Sequence, residues 1–274
     1  MKRTAVRQSI IVLVAMLGAH RLSRRTGFFN VRALISRRTL LKLGGLGLTA
    51  LATGAWKKRS SASAAPAGRL SPAVACVLTP EQTEGPYYIP KEKVRSNITE
   101  HRPGTPLKLR INVVDASTCK PIKGAAVDVW HCDAGGIYSG FMSASAVGQP
   151  GGNGGPTDKR AFLRGIQLTN ARGYCEFQTI YPGWYRGRTV HIHVKVHLGT
   201  SVGHVVHTGQ LYFSDSLTAK AYQSEPYKAR ATARDTFNNT DSIYLNGGRQ
   251  SMLTMKRDGH IGYIGSITLG VRRS

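Results

Sequence analysis

The chain has 274 residues, 41% of them hydrophobic, and a formal charge of +24. That is enough for one large globular domain with a tail. Residues 1–60 hold 13 of the Lys and Arg and no acid, so removing them lowers the charge to +11. No dense basic run interleaved with aromatics remains, which speaks against a nucleic-acid partner.

The first notable stretch is Ser36-Arg37-Arg38-Thr39-Leu40-Leu41-Lys42, a twin-arginine export signature. An apolar, glycine-rich run follows, and then Ala62-Ser63-Ala64, a small-residue cleavage site. The run falls short of the ~20 apolar residues that a membrane span needs. The earlier run Ile10–Ala19 is shorter still; it belongs to a long n-region, unless the true start is a later Met. Residues 1–64 therefore read as a twin-arginine signal segment, 65–75 as a Ser/Ala/Pro linker and 76–274 as the mature domain. The expected location is periplasmic or extracellular, with no stable membrane span in the mature form. Cys76, Cys119, Cys132 and Cys175 all lie beyond the signal, and an even count outside the cytoplasm suggests disulfides. The absence of Cys-x-x-Cys excludes a zinc ribbon or a thioredoxin-like site.

Within the domain, Thr79–Pro90 has the Pro, Gly and Thr content of an ordered loop. Leu107, Leu109, Ile111 and Val113 alternate with polar residues, which predicts a half-buried strand. Residues 125–132 predict a second strand, antiparallel to the first, running into the breaker Asp133-Ala134-Gly135-Gly136 and then Ile137-Tyr138-Ser139-Gly140. Ser143–Asp158 reads as a long excursion. Phe162–Leu168 and Gly173–Ile180 are further strands across an Asn-Ala-Arg-Gly turn, and Val205–Phe213 is another. Leu217–Arg234 has helical composition interrupted by Pro226, so one or two short helices are expected. Gln250–Lys256 and Ile261–Val271 form a hairpin across Asp258-Gly259. The whole predicts an all-β fold: an antiparallel β-sandwich with long loops and little helix.

The most informative stretch is Tyr181–Leu198. Val190, Ile192, Val194, Val196 and Leu198 alternate with His191, His193, Lys195 and His197, so the two first histidines share one face, about 7 Å apart at the base. Pro182-Gly183 makes a turn that delivers Tyr185 and Arg188 near the same end. Tyr138, Tyr185, His191 and His193 are the residue types that could share a metal. Two phenolates and two imidazoles favour a hard trivalent ion, above all Fe(III), over Zn(II) or Cu(I).

The segments TPEQTEGPYY, VDVWHCDAGGIYSG, FLRGIQLTNARGYCEF, YPGWYRGRTVHIHVKV and HTGQLYFSD resemble the intradiol ring-cleavage catechol dioxygenases, and most of all the protocatechuate 3,4-dioxygenase branch and its secreted relatives. The resemblance covers roughly residues 76–245. It implies Fe(III) held by Tyr138 and His191 as equatorial ligands and by Tyr185 and His193 as axial ones, with a hydroxide in the fifth position. It implies O2-dependent cleavage of a catechol between its hydroxyls, to a cis,cis-muconate. Tyr185 would leave the metal and act as a base. Arg188 would stabilise charge on the ring, Gln210 would line the same pocket, and Gly85, Pro86, Tyr87 and Tyr88 would wall the substrate side. A homo-oligomer and the identity of the catechol stay open.

Other residues carry smaller expectations. His131 reads as a satisfied structural histidine, His197 as lying too far along the strand, and Trp130 as core. Placing Cys132 and Cys76 near the tyrosine end, and Cys119 and Cys175 near the opposite one, predicts Cys76–Cys132 and Cys119–Cys175 bridges. Two rival readings remain: an exported, non-catalytic β-sandwich that binds aromatic or carbohydrate ligands, and a copper oxidase or monooxygenase.

Overall fold

The computed structural model describes residues 76–148, 155–199, 203–260 and 262–273. The expected signal segment and linker lie outside the described residues. Eight strands form two four-stranded sheets. The first contains β1 (Pro106–Asp115), β4 (Tyr174–Ile180), β7 (Thr254–Asp258) and β8 (Gly262–Val271), in the order β4-β1-β8-β7. The second contains β2 (Ala126–Trp130), β3 (Arg164–Leu168), β5 (His191–Leu198) and β6 (His204–Tyr212), in the order β3-β2-β5-β6. The all-β expectation holds, and one pair, β1 with β8, is parallel.

Period-two alternation builds one core between the sheets. Leu107, Leu109, Ile111 and Val113 of β1 face Val127 and Val129 of β2, and Ile192, Val194 and Val196 of β5, in a single apolar cluster. β1 and β2, adjacent in the chain, belong to different sheets. β1 and β2 do not pair, contrary to the expected antiparallel neighbours, because β1 pairs with β4 and β8 while β2 pairs with β3 and β5. The Asn170–Gly173 turn likewise joins β3 to β4 across the sandwich.

Helix is sparse, as expected: α1 (Met142–Ala146), α2 (Asp215–Ala221) and α3 (Ser242–Leu245). α2 stops well before Pro226, and α3 has Asp241 as its cap, with the side chain accepting from the backbone N–H of Ile243 and Tyr244. Gln250 falls in a 3-10 turn, so the last hairpin begins at Thr254.

The expected cysteine pairing is overturned. Cys76 is bonded to Cys119, with Cα atoms 5.4 Å apart, and Cys132 and Cys175 are free and buried. The chain enters along the end of β8, where the Thr79 N–H donates to the Gly270 carbonyl, and Gly270 pairs with Val114 near the end of β1. Cys76 thus starts beside the turn after β1, not beside the tyrosines. Cys175 points into the core, and Cys132 lies against the Gly183 carbonyl.

Candidate metal centre

The outer face of the second sheet is not open to solvent. Seven of the eight residues of β5 are buried, the polar ones included. Register across the four strands aligns Arg164, Trp130, His193 and Gln210 in one row, and His191 with Tyr212 in the next. The loop 82–92 covers this face. Gln82 donates to the carbonyls of Ile243 and Asn246, and Gln210 donates to the Thr83 carbonyl. Gly85 lies directly over His193: a Cβ there would stand 3.0 Å from its Cε1, and its φ of +74° is one that glycine adopts without strain.

The structure brings Tyr138, Tyr185, His191 and His193 together. The Tyr185 hydroxyl lies 3.0 Å from His191 Nε2, and the two Nε2 atoms of His191 and His193 are 3.1 Å apart. The rings of Tyr138 and Tyr185 meet edge to face at 5.6 Å, and those of Tyr138 and His193 stand 6.2 Å apart. His191 Nδ1–H donates to the Thr189 carbonyl at 2.6 Å, which leaves the Nε2 lone pair aimed into the cluster. The Tyr138 hydroxyl lies beside that of Tyr185, yet no described atom stands in hydrogen-bonding geometry to it, and His193 Nδ1 also lacks a partner.

Burial dominates the electrostatics of this cluster. Burial pushes both phenols well above their ordinary value; the neighbouring Tyr185 adds to the effect at Tyr138. Burial and then the Arg188 guanidinium draw His191 down to about 3. His193 also falls well below its usual range, through burial and then His191. Both imidazoles are therefore neutral, the form that binds metal. Two buried phenols would ionise only beside a strong positive charge. Among the described residues no cluster of three His, Cys, Asp or Glu side chains gathers elsewhere to hold an ion.

Arg188 sits at the edge of the cluster between two acceptors. Its Nε donates to Asp241 Oδ2 at 2.9 Å and its Nη2 to Gln210 Oε1 at 2.5 Å. Asp241 is fully engaged: Oδ2 also accepts from the Thr189 N–H, and Oδ1 caps α3. Burial opposes its ionisation, but Arg188 and these N–H groups outweigh it and hold the carboxyl below its usual range. The Tyr212 hydroxyl can donate its one proton to Gln82 Oε1, at 2.9 Å, or to Gln210 Oε1, at 3.1 Å. The reading of the sequence missed Asp241; its only signal was an Asp one residue before a short helical stretch.

The covering loop divides its two tyrosines. Tyr87 stacks on Tyr138 with centroids 4.5 Å apart and meets Tyr185 edge-on at 6.3 Å. Tyr88 does not wall the same space. Its ring lies on Trp130 and beneath the Lys195 ammonium, with its hydroxyl beside buried Asp128. Pro86 is exposed beside Gly85. Trp130 is buried, as expected, but its ring also stacks parallel on His193 at 4.9 Å. His131 is satisfied by the Cys132 carbonyl and Thr179, and His197 reaches only the Gly203 carbonyl. A cavity of about 470 Å³ opens on the exposed side of Tyr185, between Ile137, Val147, Trp184, Arg186 and Arg230.

Comparison with known proteins gives a consistent result. Residues 83–230 match the family described as Dioxygenase. The structure is similar to the intradiol ring-cleavage dioxygenase from Tetranychus urticae, at 38% identity and a TM-score of 0.65, over 72% of this chain and 95% of that one. It is also similar to the dioxygenase domain of a dioxygenase–carbohydrate-binding fusion from Streptomyces sp. SirexAA-E, at 31% identity and a TM-score of 0.50, over 72% and 100% of the two chains. Catechol 1,2-dioxygenase 1 of Acinetobacter lwoffii is 31% identical over 112 residues, which is 39% of this chain and only 32% of that enzyme.

Proposed function

The chain belongs to the intradiol ring-cleavage dioxygenase family, and on that premise we propose that it uses Fe(III) to cleave a catechol-type diol between its hydroxyls. The observation that carries the reading is the convergence of two phenol oxygens and two imidazole Nε2 atoms within one buried cluster. The donor set fits the ion: hard anionic oxygens suit Fe(III), and two phenolates with a hydroxide neutralise it in a dry site. Tyr138, Tyr185, His191 and His193 would hold it. Held there, Fe(III) would supply the Lewis acidity and electron-accepting power that make a catecholate ring reactive toward O2.

The protein's own groups do the rest. Two protons must leave the diol: the Tyr185 oxygen, inside the cluster beside His191, can accept one and a hydroxide the other. Arg188, held from both sides by Asp241 and Gln210, is a fixed positive charge that needs no reorganisation as charge grows on the ring. Tyr87 and the backbone of Gly85 keep water from Tyr138 and His193. Both atoms of O2 would end in a cis,cis-muconate-type dicarboxylate.

Oxygen uptake with a panel of catechols, together with product identification, tests the reading. A burgundy protein that consumes one O2 per diol and releases a muconate is expected. A colourless protein with stoichiometric zinc, or extradiol products, would defeat it. Export through the twin-arginine route rests on Ser36–Lys42; replacing Arg37 and Arg38 by lysine should keep the protein in the cytoplasm, as fractionation would show.

A further inference from the structure

Arg164 opens β3 and is 1% exposed, one of the largest wholly buried side chains. A buried guanidinium calls for a function, because its desolvation is costly. Its Nε donates to Ser139 Oγ at 2.9 Å and its Nη2 to the Ser139 carbonyl at 2.7 Å. Ser139 follows Tyr138 directly. The guanidinium carbon stands 6.0 Å from the centre of the Tyr138 ring and 5.7 Å from that of Phe141. Its one close carboxylate, Glu92, is 4.0 Å away and itself buried, and Arg164 Nη1 has no hydrogen-bond partner. Trp130, its neighbour in the row across the sheet, stacks on His193.

We propose that Arg164 is a positioning residue for the metal centre: its fork clamps the backbone that carries Tyr138, and its charge stabilises the Tyr138 phenolate. The inference rests on the iron reading above and adds a tuning role to it. A positive charge beside the phenolate ring lowers the energy of the donor electrons, so more energy is needed to move one to the ion. Glu92 partly offsets that charge.

The test is the phenolate-to-iron absorption band of the ferric protein in four forms: wild type, Arg164→Lys, Arg164→Gln and Glu92→Gln. Arg164→Gln should move the band to longer wavelength and weaken iron binding by about 10–100-fold, as loss of an outer-shell partner does. Arg164→Lys should restore the wavelength but not the full affinity, since it keeps the charge and loses the fork. Glu92→Gln should move the band the opposite way, to shorter wavelength, while leaving the clamp intact. A merely structural arginine would give no such opposed pair. An unchanged band in both Arg164→Gln and Glu92→Gln overturns the proposal. Should Arg164→Gln fail to fold, Glu92→Gln decides alone. A wild-type protein that binds iron without any such band overturns the iron reading itself, and this inference with it.

Discussion

The two sheets are built on the same alternation and end in opposite chemistry. In β1 the polar residues Lys108 and Arg110 stand at the surface and pair with Asp258 and Glu176. In β5 the equivalent residues His191, His193 and Lys195 are buried beneath the loop 82–92. A polar face that meets water satisfies itself at no cost. A polar face that is covered must find a partner for every group, or hold an ion. In the second sheet Asp241, Gln210 and Thr189 fill most of the demand, and the Nε2 atoms of His191 and His193 are left facing one another and the Tyr185 hydroxyl.

Four measurements press on this contrast. The largest effect is expected on the covered face. Tyr185→Phe should weaken the visible band to the share that Tyr138 contributes, His193→Ala should weaken iron binding, and each should cut turnover by about 100-fold or more, beyond what outer partners cost; absorbance, iron content and oxygen uptake read these. Next comes Arg188→Met, which should lower kcat by about 10²–10³-fold with the band still present. A band lost together with activity would mean that Arg188 serves the fold instead.

The third measurement concerns pH. Burial, and then Glu92, raise Asp128 to about 7 although the Tyr88 hydroxyl lowers it. The folded protein thus holds a proton that the unfolded chain releases near 4. Stability should fall as pH rises through this window and level off above about 7. Asp128→Asn should remove the decline, as denaturant titrations at about pH 5 and about pH 8 would reveal. The smallest effect belongs to the open sheet: Arg110→Ala should cost about 1 kcal/mol or less and leave turnover unchanged. A large loss there would erase the distinction between the faces.

Much of this was legible in the chain itself. Alternation in 107–113 and 190–198 located both strands and put His191 and His193 on one side, because side-chain direction is a local property with period two. Roles for Tyr138, Tyr185, Arg188 and Gln210 came from the resemblance to a known family, not from any local period. What stayed hidden depends on distant parts of the chain meeting. Pairing of β1 with β8 joins residues about 150 apart, and the partner of Cys76 depended on where the chain enters the sheet. Tyr87 and Tyr88 are neighbours in a loop with no period, so nothing local separated the one that stacks on Tyr138 from the one that packs on Trp130. Asp241 had no motif, and Arg164 stood inside FLRGIQLTNARGYCEF with no role assigned to it; only their burial against the site gives them meaning.

The Cys76–Cys119 bond has a consequence for how the chain would tolerate cleavage. The segment over His193 is fastened upstream by that bond and by the Thr79–Gly270 contacts, and downstream by the bridge between Val94 and Ile166. A peptidase cutting anywhere ahead of Cys76 would leave both fastenings whole. The loop over His193 would thus keep its anchors without anything upstream of Cys76.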